Sequence, residues 1–348
     1  MILGRLRELE QYASVAPTHK EWQAGYMHAI TLEGFGGPEK MRWTQLPDLE
    51  PGPGQVRIRT VAVGVNRADL LQRQGYYPPP TGASEILGLE CSGVIDAIGE
   101  GVSGWQIGDE VVALLEGGGY AEQVVVAAGQ VIKPPEGIDL VSAAGVIEVA
   151  ATVLSNLDLV HLQKDEWFLV HGGAGGIGTF AIQYARALGA HVATTASAAK
   201  LDHCRQLGAE IVIDYADDWL TQLMMATEDR GVDVILDIIG AKYLADNVAA
   251  LRDDGRLVII GMQKGTKGEL NIQKLLNKRG TIAATSLRQR PTEQKAEICR
   301  QVEERVWPLI ASGQIKLAPE TRVSLQEAAE AHQLLASGDV IGKVILTV

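Results

Sequence analysis

Several residue types are scarce in this chain of 348 residues, and each scarcity excludes a class of protein. Only three cysteines occur, Cys91, Cys204 and Cys299, and they are far apart in the sequence. Their number and spacing exclude a disulfide framework and a four-thiolate zinc site, and they indicate a reducing, cytoplasmic setting. Aromatic residues make up 5% of the chain, and 31 basic residues face 43 acidic ones. The net charge of -12 repels phosphate backbones and anionic membrane surfaces, so we expect neither a nucleic-acid partner nor a membrane partner.

Long apolar runs are missing as well. Charged residues or glycine interrupt each apolar stretch before the roughly 20 residues that a membrane-spanning helix needs. Residues 1–26 mix acidic and basic side chains without an apolar segment, so we expect an N-terminal extension and no signal or transit peptide. What is present, 46% apolar and 21% charged residues, is typical of a globular protein, and the length corresponds to about two domains.

Two patterns divide the rest of the chain. From residue 27 to about 150, short β-rich runs are separated by proline and glycine, which is typical of an irregular β domain. Beyond that point, helix-period segments alternate with uniformly apolar runs at 167–172, 191–196, 210–215, 232–240 and 256–261. Strands this apolar are buried on both faces, so the alternation predicts a doubly wound parallel sheet in an α/β fold.

The last part of the chain contains fewer repeats of this pattern. The segment 281–287 is expected to add a final strand to the parallel sheet. Helices are predicted around 292–312 and over 325–337, followed by a closing strand, GKVILTV. A closing strand after the parallel sheet suggests that the chain returns to pair with the first, β-rich domain.

A glycine-rich turn follows the first buried strand of the parallel sheet. Gly173, Gly175 and Gly178 fit the pattern G-x-G-x-x-G, and an amphipathic helix begins directly behind them. In this motif the first glycine makes a tight turn, the second lets a pyrophosphate approach the backbone, and the third lets helix and strand pack closely. The helix N-terminus adds free N–H groups and partial positive charge. The motif alone is weak, but its position between a buried strand and a helix favours a dinucleotide cofactor.

The end of the second strand distinguishes NADPH from NAD. An NAD site places an acidic residue there to bind the ribose 2′-hydroxyl, whereas this chain has threonine, alanine and serine. Ser197 and Lys200 could instead bind a 2′-phosphate, so NADPH is the expected cofactor. The alternative is that Lys200 only solvates a helix start. Tyr215, which ends the third strand, could lie beside the adenine or be structural.

Six segments give the chain a family resemblance. They are VNRADLLQRQG (65–75), PPPTGAS (78–84), ILGLECSG (86–93), ALLEGGG (113–119), IEVAAT (147–152) and GGAGGIG (172–178). Through them the span 27–348 resembles the zinc-free quinone oxidoreductases of the medium-chain dehydrogenase/reductase superfamily, relatives of ζ-crystallin, and most of all the p53-inducible type.

This resemblance implies a domain organisation. A GroES-like catalytic domain would occupy 27–150 and be completed by a return segment at 288–348. A Rossmann domain for NADPH would occupy 151–287. The resemblance also implies an active-site cleft between the two domains and a homodimer formed through the edges of the parallel sheets.

The resemblance also indicates that the protein uses no metal. Zinc alcohol dehydrogenases of the superfamily have a cysteine where this chain has VNRAD, and Gly-His-Glu where it has Gly88, Leu89 and Glu90. Without a zinc ion to acidify an alcohol, that kind of alcohol oxidation is excluded. The expected acceptor is already electron-poor, a quinone or an α,β-unsaturated carbonyl compound, and the protein mainly positions the reactants.

The residue roles implied by the resemblance fall into two sets. Asn66, at the nicotinamide-ribose end, and Tyr77, in the acceptor pocket, are the candidate catalytic residues. Each also has a structural alternative, because Asn66 could cap a turn and Tyr77 could pack on the adjacent prolines. The cofactor-binding set, from motif and resemblance together, is Asn66, Thr152, Gly173, Gly175, Gly176, Ile177, Gly178, Ser197, Lys200, Tyr215, Ile239, Gly240, Ile260, Gly261, Met262, Ser286, Leu287, Arg288 and Val340. His171 and Cys91 are expected to be buried structural residues.

Three functions remain open at this point. The first is NADPH-dependent transfer of hydride or electrons to quinones without a metal. The second is NADPH-dependent reduction of the C=C bond of enones or alkenals, with a proton donor such as Tyr77. The third is a non-catalytic, crystallin-like role, in which the protein binds NADPH. The low aromatic content and negative charge argue against an RNA-binding surface in that case.

Overall fold

The computed structural model describes residues 25–348, so almost all of the expected extension 1–26 lies outside the described residues. Within residues 25–348 there are fifteen strands and eleven α-helices. The strands are β1 (Tyr26–Leu32), β2 (Met41–Pro47), β3 (Gln55–Val65), β4 (Glu90–Ile98), β5 (Glu110–Leu114), β6 (Gln123–Ala127), β7 (Val131–Ile132), β8 (Trp167–His171), β9 (His191–Ala196), β10 (Ile211–Asp214), β11 (Val232–Asp237), β12 (Leu251–Ile259), β13 (Thr281–Ala284), β14 (Glu320–Ser324) and β15 (Lys343–Thr347). The helices are α1 (Arg67–Arg73), α2 (Leu140–Ala143), α3 (Ile147–Leu159), α4 (Gly176–Ala187), α5 (Leu201–Leu207), α6 (Trp219–Ala226), α7 (Leu244–Ala250), α8 (Ile272–Asn277), α9 (Thr292–Arg305), α10 (Trp307–Ala311) and α11 (Ala328–Ser337).

The first large sheet combines the two ends of the described chain. Its order is β14-β15-β3-β4-β5-β7, and β6 pairs with β3 outside this path. β15 runs antiparallel to β3 with Ile345 opposite Gly64, so the closing strand lies beside the longest strand of the β-rich region. Within β3, Val56 and Ile58 point into the core and Arg57 lies between them at the surface side, the alternation of a half-buried antiparallel strand. β1 and β2 form a separate two-stranded ribbon.

The second large sheet is parallel throughout, with the order β10-β9-β8-β11-β12-β13. This order corresponds to the doubly wound 3-2-1-4-5-6 arrangement, in which ligands bind beyond the carboxyl ends of the strands. β11 is buried at every position, as its apolar run predicts, and the burial includes its two aspartates, Asp233 and Asp237. The predicted fold class, a GroES-like β-rich unit with a Rossmann sheet, is confirmed. The domain limits at 150 and 287 stay predictions.

A buried helix packs beside the parallel sheet. Ten of the thirteen residues of α3 are buried, and the helix contacts α4 and α9 in the largest hydrophobic core cluster. The segment Leu140–Leu159 that contains α3 has a mean hydropathy of 1.7, enough in length and composition for a membrane span. However, 72% of it is buried inside the protein, as expected for a core helix.

The helix predicted around 292–312 is wrong in one respect, because the structure divides it. α9 ends at Arg305, and α10 begins at Trp307 with Pro308 in its first turn. Proline has no N–H to continue the helical hydrogen bonds, and its ring collides with the carbonyl of the preceding turn. The chain therefore restarts a helix at this point.

Candidate active site

A cleft of about 600 Å³ lies at the carboxyl ends of β8, β11, β12 and β13. One wall comes from the loops behind these strands and the other from the β-rich unit, including Asn66, Tyr77 and Leu89. Fourteen predicted site residues line this cleft: Asn66, Tyr77, Thr152, Gly175, Gly176, Ile177, Gly178, Gly240, Ile260, Gly261, Met262, Ser286, Leu287 and Arg288. Six do not line it: Gly173, Ser197, Lys200, Tyr215, Ile239 and Val340.

The glycine-rich turn adopts a shape that suits a pyrophosphate. Gly172 has φ +76, a conformation that favours glycine, and α4 begins four residues later at Gly176. A Cβ added to Gly178 would lie 2.2 Å from the carbonyl oxygen of Gly172, so close packing requires glycine there. At Gly175 the nearest atom to an added Cβ is 3.5 Å away, an ordinary van der Waals contact, so packing within the protein does not require glycine there. The first N–H groups of α4 lack intrahelical partners and can bind an anion.

One role in the glycine motif differs from the prediction. The tight turn is made by Gly172, because this residue has the positive φ. A Cβ on Gly173 would lie 2.3 Å from the Thr194 hydroxyl and 2.9 Å from the Cys204 sulfur. Gly173 therefore serves packing against β9 and α5, which explains why it does not reach the cleft.

Lys200, Ser197 and Tyr215 lie together beyond the edge of the cleft. Ser197 follows β9 directly, and the Tyr215 N–H donates to the Ala196 carbonyl at 3.0 Å, which fixes the two strand ends side by side. The Lys200 ammonium donates to the carbonyls of Gly338 at 2.5 Å and Val340 at 2.9 Å. Burial lowers the pKa of Lys200. The lysine is thus already bonded to the loop before β15, a partner that the sequence did not reveal.

At the other end of the cleft, Asn66 belongs to a hydrogen-bonded cluster. Its side-chain amide donates to Glu90 Oε1 at 2.9 Å, and its carbonyl oxygen accepts from Lys343 Nζ at 2.6 Å. Lys343 Nζ also lies 2.7 Å from Glu90 Oε1. Glu90 is fully buried and Lys343 is 7% exposed. Asn66 also starts α1, where its N–H donates to Asp69 at 2.8 Å, so it both begins a helix and faces the cleft.

Two more side chains extend this cluster along the cleft wall. The N–H of Glu148 donates to Glu90 Oε2 at 3.0 Å, and the Glu148 carboxylate accepts from the Thr152 hydroxyl at 3.1 Å. Burial is the main reason that the pKa of Glu148 rises, to about 7; Lys343 lowers it and Glu90 raises it. Glu90, Glu148 and Lys343 were missed from the sequence. The sequence feature that could have identified them is that each is a charged residue within an apolar run.

Tyr77 contacts two other predicted residues. Its hydroxyl is 3.2 Å from the Ser286 hydroxyl, and the Arg288 guanidinium lies 5.2 Å from the centre of its ring. Burial raises the pKa of Tyr77 above its usual value. Arg288 is held in place by donating to the carbonyl of Glu116 at 2.7 Å and to Gln72 at 2.8 Å. Leu71, Leu89, Leu114 and Leu115 give this end of the cleft an apolar lining.

The residues expected to be structural lie away from the cleft. His171 is fully buried and bonded to Thr195 at 3.0 Å and Asn247 at 2.8 Å, and burial lowers its pKa to about 4. Cys91 is also fully buried, and burial raises the pKa of its thiol. In the part of the chain that the structure describes, no three His, Cys, Asp or Glu residues come together as possible metal ligands.

Comparisons with known proteins agree with this architecture. The family model "Alcohol dehydrogenase GroES-like domain" matches residues 52–136, and "Zinc-binding dehydrogenase" matches residues 176–303. A quinone oxidoreductase of Pseudomonas aeruginosa is 32% identical over 326 residues, which are 91% of this chain and 98% of that protein. A 2-haloacrylate reductase of a Burkholderia species is 30% identical over 332 residues, with the same two coverages, 91% and 98%. The crystal structure of Escherichia coli quinone oxidoreductase complexed with NADPH has a TM-score of 0.82 and 28% identity, and covers 92% of this chain and 100% of that one.

Proposed function

The chain belongs to the medium-chain dehydrogenase/reductase superfamily, as an oxidoreductase related to the quinone oxidoreductases, and from this we propose that it transfers hydride from NADPH to quinones without a metal ion. The observation that carries the proposal is the cleft itself. It joins a glycine loop suited to a pyrophosphate with an apolar end lined by Tyr77 and leucines. Asn66 and Leu89 stand where zinc alcohol dehydrogenases of the superfamily have metal ligands. Their side chains suit an organic acceptor better than a zinc ion.

The residues present fit a dinucleotide. The turn at Gly175, where an added Cβ would clash with nothing, and the N-terminal N–H groups of α4 would hold the pyrophosphate. Backbone at Gly240, Gly261 and Met262 borders the path from that loop towards Asn66. When bound, the cofactor supplies the hydride, and the chain orients the acceptor against it.

The preference for NADPH rests on Lys200 and Ser197. A 2′-phosphate beside Ser197 would offer Lys200 a charged acceptor in place of the two neutral carbonyls that it now contacts. In Lys200→Ala we expect the Kd for NADPH to rise about 10- to 150-fold, equal to about 1.5–3 kcal/mol, with little change for NADH. Titration of both cofactors by tryptophan fluorescence measures this. Lys133→Ala, at an exposed lysine far along the chain, is the control, and equal losses for both cofactors would contradict the role.

Turnover tests the reaction. NADPH consumption is measured with 1,2-naphthoquinone or a benzoquinone, and saturable turnover above the uncatalysed rate is expected. An absence of turnover with every acceptor, together with tight NADPH binding, would favour the non-catalytic, crystallin-like role.

Reduction of a conjugated C=C bond is the second candidate. The name of the 2-haloacrylate reductase relative gives a substrate that contains such a bond, and Tyr77 lines the cleft. If enones exceed quinones in kcat/KM, this candidate replaces the first, and loss of that rate in Tyr77→Phe would assign the proton donor to Tyr77.

Assembly and location complete the proposal. We propose a homodimer formed through β13, which pairs with β12 on one side and, among residues 25–348, with no strand on the other. Exposed Ile272 and Leu276 in α8 add apolar surface nearby in the chain. Light scattering after size-exclusion chromatography measures the mass.

The three cysteines are unpaired and buried, which suits the proposed cytoplasmic location.

A further inference from the structure

The cleft contains an acidic side chain that the proposed function has not used. Glu148 lies in the first turn of α3, half-buried, with its side chain on the cleft wall. Asn66, Thr152 and Lys343 line the same part of the cleft. An acid placed beside the nicotinamide end of the cleft is in a position to exchange a proton with a bound acceptor.

The charges around Glu148 do not balance. Two carboxyl groups, Glu148 and Glu90, share the neighbourhood of one ammonium group, Lys343. Lys343 bonds directly to Glu90, at 2.7 Å, so Glu90 is the carboxylate that it neutralises. Asp69, on α1, adds a further negative charge that acts on Glu148. An ionised Glu148 would therefore be an excess negative charge in a poorly solvated place, and retaining a proton avoids that cost.

Tyr77 is the other candidate proton donor, and it lies at the acceptor end of the cleft. Its pKa lies above the usual value near 10, and its hydroxyl is engaged with Ser286. The pKa of Glu148, about 7, is much closer to a neutral working pH. Because a general acid works best when its pKa is near the working pH, Glu148 is the better proton donor of the two.

We propose that Glu148 donates the proton that completes reduction of the acceptor, and that Glu90, which accepts the backbone N–H of Glu148, and Thr152, which donates to its carboxyl group, are positioning residues. The inference rests on the proposed function and names the acid that function requires.

The step balances with one hydride and one proton. A conjugated carbonyl acceptor takes the hydride of NADPH at its β-carbon, and the electron pair of the C=C bond shifts towards the carbonyl oxygen. The O–H bond of Glu148 then breaks as its proton passes to that oxygen, and the enol tautomerises to the saturated ketone in water. Glu148 recovers its proton from solvent. A quinone takes up the same hydride and proton and yields the hydroquinone.

Glu148→Gln tests the role, because glutamine keeps the size of the side chain and an oxygen for the Thr152 hydroxyl but carries no acidic proton. We expect kcat with an enone to fall about 100-fold or more while the Kd for NADPH stays within about twofold. In the wild type, kcat should fall tenfold per pH unit above about pH 7, and the variant should lack this break. Glu136→Gln, at an exposed loop glutamate, is the matched control and should keep the wild-type profile.

If Glu148→Gln folds poorly, a second variant and the pH profile of the wild type test the same role. Glu148→Ala should regain activity when formate is added, because a small acid can replace the missing carboxyl group, whereas a purely structural role would not respond to formate. A wild-type profile that stays flat to pH 9, or a glutamine variant with the wild-type rate and break, would overturn the inference. If the wild type itself binds no NADPH and reduces no acceptor, the proposed function fails instead.

Discussion

Gly175 and Gly178 lie three residues apart in the same loop, yet the structure gives them different tasks. A Cβ on Gly178 would meet backbone, 2.2 Å from the Gly172 carbonyl oxygen and 2.5 Å from the Gly173 Cα. Backbone atoms cannot swing aside as the end of a long side chain can. At Gly175, φ is -81 and ψ is 173, which any residue adopts, and an added Cβ has room in the protein without cofactor. Alanine at each position therefore separates packing from cofactor contact.

The expected energies follow from this geometry. Alanine inside a helix is normally about 0.5–1 kcal/mol more favourable than glycine, so without the clash Gly178→Ala would stabilise α4. With the clash we expect a net loss of about 1–3 kcal/mol, the usual range for overpacking. Gly175→Ala should change the free energy of unfolding by only a few tenths of a kcal/mol, because an N-cap glycine makes no side-chain bond. Its Cβ would instead occupy the space of the pyrophosphate.

Thermal unfolding with and without NADPH distinguishes the two effects. At 100 times Kd, a bound cofactor should stabilise the wild type by about 2.7 kcal/mol and raise its Tm. Gly175→Ala should have the wild-type Tm without NADPH and no increase with it. Gly178→Ala should unfold at a lower Tm even without NADPH. If Gly175→Ala keeps the full NADPH-induced increase, the loop does not hold a pyrophosphate against Gly175.

Two further predictions concern buried charge. Lys343→Met leaves the fully buried Glu90 without its ammonium partner, so the free energy of unfolding measured in urea should fall by about 3–5 kcal/mol. Adding Glu90→Gln should recover part of this free energy. If nothing is recovered, the ion pair does not cause the loss. Burial lowers the pKa of His171 to about 4, against 6.5 in the unfolded chain. Between pH 6.5 and 4 the unfolded state therefore binds a proton that the folded state does not. The free energy of unfolding should fall in this range as the pH falls, by up to about 1.4 kcal/mol per pH unit. In His171→Gln this share of the slope should vanish, and an unchanged slope between pH 6.5 and 5 would show that His171 does not cause it.

The parts of the fold that could be predicted are those with local signals. The buried strands of the parallel sheet come from predominantly apolar runs, and β8, β9 and β11 start at the predicted residues. Hydrophobic runs do not show where pairing begins, and β12 starts five residues before its predicted position of 256. Adjacent glycines also leave open which of them takes a positive φ, and so the turn at Gly172 was assigned to Gly173.

The polar cluster of the site could not be predicted in this way because its members are distant in sequence. Asn66 and Lys343 are 277 residues apart, and Asn66 and Glu90 are 24 apart. Each comes from a different element, and only the pairing of β15 with β3 and of β3 with β4 brings them together. The same holds for Lys200. Its position after β9 could be predicted from the sequence, but its hydrogen bonds to the Gly338 and Val340 carbonyls could not.

The charges of the cluster bear on the proton transfer proposed for Glu148. Lys343 places an ammonium group on the cleft wall beside Asn66. Glu90 lies 2.7 Å from that ammonium group, so the positive charge is balanced inside the protein and not left open towards the cleft. Glu148 adds a proton, but only below about pH 7. Above that pH the proposed step loses its proton source while Lys343 remains paired with Glu90, so the kcat of the wild type should keep falling and not level off.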